Sequence, residues 1–207
     1  MIDRIRSTRF MRFAACHQSQ LFLVAVALFA FSLAACSLPQ WIATAQSILP
    51  IAAEMAAGII ALIGAFAGGP DAGAIATLNT VMTAVGKALT DIQAMVEEYN
   101  STPSTTLLGS IQAAIKAVTD QISQLLTDTG ITNTALQAKV VDILQLLMNE
   151  VTAWASLVPI INAAAGSKFE LIVPLDAKGF KQAYNAILAT PTGVAEVDEA
   201  LAKVKRL

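Results

Sequence analysis

Three stretches of the chain place apolar side chains at alternating steps of three and four. Ile75, Leu78, Met82, Val85, Leu89, Ile92, Val96 and Tyr99 form the longest run. Leu108, Ile111, Ile115, Val118, Ile122 and Leu125 repeat it, and Leu136, Val140, Ile143, Leu147, Val151, Trp154 and Val158 follow with one stutter. A mean step near 3.5 marks the seam of a helix that packs lengthwise against others, and it predicts a left-handed supercoil. Thr77, Thr80, Lys87, Thr90, Asp91 and Glu98 fall off the first seam, with Lys87 and Asp91 one turn apart. A helix of about 27 residues here would be roughly 40 Å long.

Turn-forming residues separate these runs. Gly68-Gly69-Pro70 precedes the first, with Asp71 as a candidate cap, and Asn100-Ser101-Thr102-Pro103-Ser104 is a loop. Thr129-Gly130 ends the second run, Gly130 suiting the left-handed position beyond a helix. Thr132 or Thr134 starts the third and Pro159 closes it. Ahead of all three, Ile48 to Gly69 is apolar around its whole circumference with one charge, Ser47 as cap and Pro50 in its first turn. The expected fold is all-α: an up-and-down bundle of about four long helices joined by short loops. A single long coiled coil formed by oligomerisation is the alternative, and the Gly and Pro punctuation counts against it. After Gly166 the pattern changes. Phe169–Pro174 reads as extended, Asp176 caps a short helix bearing Phe180, Tyr184 and Ile187, and Thr190–Gly193 turns the chain. A last helix carries Val194, Val197, Leu201 and Val204 and ends in Lys203, Lys205 and Arg206. This C-terminal appendage either packs across the bundle or stands apart.

The N-terminus follows other rules. Arg4, Arg6, Arg9 and Arg12 precede the charge-free stretch Leu21–Leu33. A basic start, a short apolar core and small residues after it make a secretory signal. Its thirteen apolar-core positions fall short of the about 20 that span a bilayer. Translation starts at Met1 or at Met11, the latter leaving Arg12 as the charge. The sequence Leu33-Ala34-Ala35-Cys36 resembles the lipobox of bacterial lipoproteins: an aliphatic residue, two small ones and a cysteine. The resemblance implies transfer of diacylglycerol to the Cys36 sulfur, cleavage between Ala35 and Cys36, and a further acyl chain such as palmitate on the new amino group. More than one chain gives a stable membrane anchor where one would be marginal. It also implies sorting by the next residue, and Ser37 there points to the outer membrane, facing the periplasm, in a cell that has one. Cys16, in Phe13-Ala14-Ala15-Cys16, has no apolar core before it and is expected to stay unmodified. The rival readings are an ordinary secretory cut beside an incidental Cys36 and an uncleaved anchor.

The organisation expected is a removed signal, 1–35; a lipidated tether, 36–47, whose Ser37–Gln46 is a short tether or a helix start; a helical bundle, 48–165; and a C-terminal part, 166–207. The mature chain keeps nine Lys and Arg against fourteen Asp and Glu, a net charge of −5. It is long enough to bury roughly 70% of its unfolded surface in one domain. Nothing in it forms the basic face that nucleic acid needs. Cys16 and His17 leave with the signal, so the mature chain has no histidine and no cysteine but Cys36. That removes Cys or Ser-His-Asp nucleophiles, His/Cys zinc sites and disulfides. The acidic pairs Glu97-Glu98 and Asp198-Glu199 are sequence neighbours, which point to different helix faces and read as solvated surface. Gly68–Gly73 reads as a turn and cap, because Asp71 would repel a phosphate. No catalytic, cofactor or metal residue is expected, and the aromatic residues are spread along the chain.

The function expected is a membrane-anchored, non-enzymatic helical module of the cell envelope, with a protein partner or a second copy engaging its heptad seams. The alternative is a membrane-active, pore-forming or holin-like protein whose apolar helix 48–69 enters the bilayer. Gly64-Ala65-Phe66-Ala67-Gly68 would allow close helix approach there. Against it, Met55–Pro70 offers only sixteen uncharged residues.

Overall fold

The computed structural model describes residues 39–159 and 174–207. The signal, the lipobox and all but Pro174 of the expected extended segment Phe169–Pro174 lie outside the described residues. Among the described residues every regular element is helical: α1 Gln40–Gly64, α2 Ala72–Ser101, α3 Thr105–Thr127, α4 Thr134–Ala155, α5 Ala177–Ala189 and α6 Ala195–Lys203.

The long helices bury the residues that the spacing singled out. Ile75 through Val96 on α2, Leu108 through Leu125 on α3, and Leu136 through Trp154 on α4 are buried at each seam position. Tyr99 is half-buried and packs against this core. Local chemistry sets the helix starts. Ser104 Oγ accepts from Leu107 N, Asn133 Oδ1 from Leu136 N and Asp176 Oδ1 from Gly179 N, each satisfying a free first-turn donor. The cap of α4 is therefore Asn133, between the two threonines expected for it. Gly130, at φ +66°, adopts the left-handed conformation, and a Cβ on it would meet Ala74 Cβ at 3.0 Å.

The first helix differs from expectation at both ends. It starts at Gln40, so of the two readings open for Ser37–Gln46, tether or helix start, the described residues from Gln40 on are helix. Ser47 lies inside it and donates Oγ–H to Thr44 O (2.9 Å) in place of capping. Pro50 stands in the interior, where it supplies no N–H to the preceding turn, a cost of about 3 kcal/mol. Trp41, Ile42 and Ala45 are buried ahead of it. At about 1.5–3 kcal/mol for each large apolar side chain, that burial outweighs the proline. The helix ends at Gly64, and tight three-residue turns follow, such as Phe66 N–H to Ile63 O (2.9 Å). Gly68 lies in those turns, so Gly64 and Gly68 do not share a helix face.

α1 packs against α2, α2 against α3, α3 against α4, and α4 against α1, which closes a ring. α5 lies against α1 and α4, and α6 against α5 and α1. The C-terminal part thus belongs to the same compact unit, Gln40–Leu207, and shares its core. Phe180, Tyr184 and Leu188 anchor α5, and Val197, Ala200 and Leu201 anchor α6. Ile187 is half-buried, while Val194 is exposed and makes no seam contact of the kind expected. The C-terminal turn is held by Asn185, which accepts from Leu207 N (3.0 Å) and donates to Leu207 O (2.7 Å).

Candidate functional site

Ala35 and Cys36, the residues singled out for cleavage and lipidation, lie outside the described residues. Three residues separate Cys36 from Gln40, where α1 begins. The surface nearest to the expected modification along the chain is therefore the end of the unit that carries the α1 start.

Three aromatic residues gather at that end. Trp41 comes from the first turn of α1, Tyr99 from the last turns of α2 and Trp154 from the last turn of α4. The Trp41 and Tyr99 rings lie 5.3 Å apart at 58°, within the range of favourable tilted pairs. Trp154 is fully buried and donates Nε1–H to Trp41 O at 2.9 Å. This corrects the reading of the aromatics as dispersed. They stand 113 positions apart in sequence in the case of Trp41 and Trp154, and the packing of α4 against α1 brings them together. Gln112 of α3 joins the same end by donating Nε2–H to Pro159 O (2.6 Å).

Beside this cluster, a shallow groove of about 600 Å³ runs between Gln40, Thr44 and Ser47 of α1 and the segment Pro174–Lys178 that leads into α5. Leu175 is 42% exposed there. Its N–H is fixed by Glu150 Oε2 at 3.0 Å. Glu150 is buried, and burial raises its carboxyl above the ordinary range, with the Leu175 hydrogen bond opposing. Lys139, one face along α4 and also buried, donates to Ile187 O (3.0 Å) among the last carbonyls of α5.

The opposite end has polar closure. Asp71 makes no capping bond on α2. Its carboxylate instead accepts from Thr132 Oγ1 (2.6 Å), Thr132 N (3.0 Å) and Asn133 N (3.1 Å), 61 and 62 positions away. The side-chain bond from Thr132, then the two backbone bonds, hold its carboxyl below the ordinary range. A small groove of about 350 Å³ lies here between Gly68, Gly69, Asn133 and Glu196. On the flank, a groove of about 680 Å³ runs along α3 and α4, with Ile115, Met148 and Val158 at its floor and Lys116 and Asp120 paired on its rim (2.7 Å).

The two acidic pairs do not converge on one another. Glu97 and Glu98 are exposed. Asp198 accepts from Thr192 N (2.7 Å) and Thr192 Oγ1 (2.8 Å), which lowers its pKa. Glu199 bonds Lys203 (2.7 Å). Among the described residues, no three His, Cys, Asp or Glu side chains stand close enough to share a metal ion. No family model, no curated protein and no solved structure matches this chain.

Proposed function

We propose that the chain is the precursor of a bacterial lipoprotein. It is cut before Cys36, carries acyl chains on that residue, and holds Gln40–Leu207 at the envelope membrane as a non-enzymatic helical module. The observation that carries this reading is the sequence Leu33-Ala34-Ala35-Cys36 directly behind the apolar core Leu21–Leu33. Ser37 favours the periplasmic face of an outer membrane in a cell that has one. The four long helices read as an up-and-down bundle, because each packs on the next and α4 returns to α1. Such a module offers a partner, or a second copy, long helix flanks of low charge.

The second reading puts α1 into the bilayer. α1 is long and apolar enough to span one, and among the described residues it alone is. Insertion would lift Ile48, Met55, Ile59 and Leu62, all fully buried, out of contact with α2, α4, α5 and α6. A helix that is apolar all round suits a buried position equally well, so burial favours the anchored module.

The test is intact mass and fractionation of the protein from its host, beside a Cys36→Ala variant. The expected mature mass starts at Cys36 and includes acyl chains, and the variant loses both the added mass and the membrane association. An unmodified chain that stays with the membrane overturns this reading and promotes insertion of α1.

A further inference from the structure

We propose that the mature protein stands end-on at the membrane, with the Trp41–Tyr99–Trp154 end against the lipid headgroups and the Asp71 end turned away. This rests on the lipid-anchor reading above and goes beyond it by naming the face that meets the bilayer.

The first argument is chain length. From the acylated Cys36 to Gln40 there are four Cα steps, which reach at most about 14 Å. The α1 start is therefore confined near the headgroup layer. Trp41, Tyr99 and Trp154 fix the ends of α2 and α4 to that same point. The anchor thus holds a whole end of the ring of helices and not one loose strand.

The second argument is surface chemistry. The α2–α3 loop at this end and the helix residues flanking it, Ser101–Thr106, are exposed, and no charged residue occurs between Glu98 and Lys116. A chain of net charge −5 is repelled by anionic lipid, and a hydroxyl-rich, uncharged loop is the part that tolerates close approach. Leu175, an exposed large apolar side chain, sits at the same end beside the α1 start. Its N–H is held by buried Glu150, so the side chain is presented on a fixed backbone. Among the described residues Glu97, Glu98, Asp176 and Lys178 supply no net positive charge at this end, so the adhesion proposed comes from the acyl chains and Leu175.

The third argument is reach. α2 has 30 residues and, at 1.5 Å per residue, extends about 45 Å. Its first turn lies at the α1–α2 turn, far from Tyr99 in its last turns, and there Asp71 ties that turn to the α3–α4 loop. That end stands clear of the lipid and is the part a partner can reach.

The mature chain has no cysteine besides Cys36, so single labels are easily placed. The acylated protein, with its signal processed by the host, is made as Ser104→Cys, Leu175→Cys and Asp128→Cys variants. All three positions are exposed. Each carries a fluorophore and is reconstituted in phosphatidylcholine vesicles containing a headgroup-borne nitroxide quencher. Quenching several-fold stronger at 104 and 175 than at 128 is the expected result. Acylated protein in which position 128 is quenched as strongly as 104 overturns the end-on arrangement alone. Protein whose intact mass lacks acyl chains, and which does not float with vesicles, overturns the anchor reading and this one together.

Discussion

At the end where α1 begins, Trp41, Tyr99 and Trp154 close the core with rings and one indole-to-carbonyl hydrogen bond. At the other end, Asp71 draws two backbone N–H groups and a hydroxyl from the α3–α4 loop onto one carboxylate. One closure is apolar area removed from water, which is indifferent to pH. The other is a set of charge-assisted hydrogen bonds that exists only while the carboxyl is ionised. The difference also concerns reach: α1 begins three residues after Cys36 along the chain, and the carboxylate end lies about the length of α2 from the aromatic end. The two ends are thus closed by two separate routes.

The sharpest way to break this comparison is Trp154→Ala. The side chain is fully buried, and its removal costs about 3–5 kcal/mol with incomplete collapse of the cavity. The Trp41 carbonyl also loses a donor. Urea denaturation is expected to show a lower midpoint at unchanged slope, with the same loss at pH 5 and pH 7. A loss smaller than that of Asp71→Ala would mean that the aromatic end is not the stronger closure.

The next effect lies between the ends, where α5 crosses α1. Tyr184 is fully buried, and its hydroxyl rests on Gly58, where a Cβ would fall 2.0 Å from Oη. Among the described residues that hydroxyl finds no hydrogen-bond partner. Burial first, and Glu54 second, push its pKa up to about 12, so it remains neutral. Gly58→Ala improves helix propensity by about 1 kcal/mol, yet overpacking costs about 1–3 kcal/mol, and the net change is expected to destabilise. Tyr184→Phe removes the unpartnered hydroxyl and is expected to be neutral or mildly stabilising, since a lone buried polar group costs about 1–3 kcal/mol. In the double variant the two changes should couple favourably, because the closest clash is gone. Simple additivity in thermal melts would show that the backbone, not the hydroxyl, absorbs the strain.

Much of this architecture is written in the spacing of Ile, Leu and Val along α2, α3 and α4, because those side chains need one continuous buried stripe. The start of α1 was not readable in that way. Pro39 and the polar residues around Gln40 leave tether and helix start both open, and the burial of Trp41 and Ile42 goes with the helical outcome. The aromatic end and the Asp71 bridge escaped for a related reason. Both join residues more than sixty positions apart, and a linear pattern says which residues are buried but not which end of a neighbour they meet. The lipobox is the reverse case: a processing signal is read as a linear string, so its four residues are legible without any fold.

The smallest effect is one of slope, and it compares two carboxylates held by backbone N–H groups. Asp71 has its pKa depressed by bonds from Thr132 and Asn133. A depressed folded pKa contributes stability above the unfolded value, near 3.8, and that contribution is lost as pH falls through the lower folded value. The gap between wild type and Asp71→Ala should therefore close on acidification. Glu150 has its pKa raised, by burial more than the Leu175 bond lowers it. A raised folded pKa works with the opposite sign: its contribution is complete below the unfolded value, near 4.5, and is lost as pH rises through the folded one. Wild type should thus lose stability relative to Glu150→Gln as pH increases above about 4.5. Both gaps are read from urea midpoints at matched pH steps, where every other carboxylate titrates alike in the paired proteins. Parallel slopes would show that Glu150 is kept charged by solvent reaching it beside Leu175. Opposite slopes would place the acid-sensitive closure at the Asp71 end, while the aromatic end holds from pH 7 down to the range where Asp71 protonates.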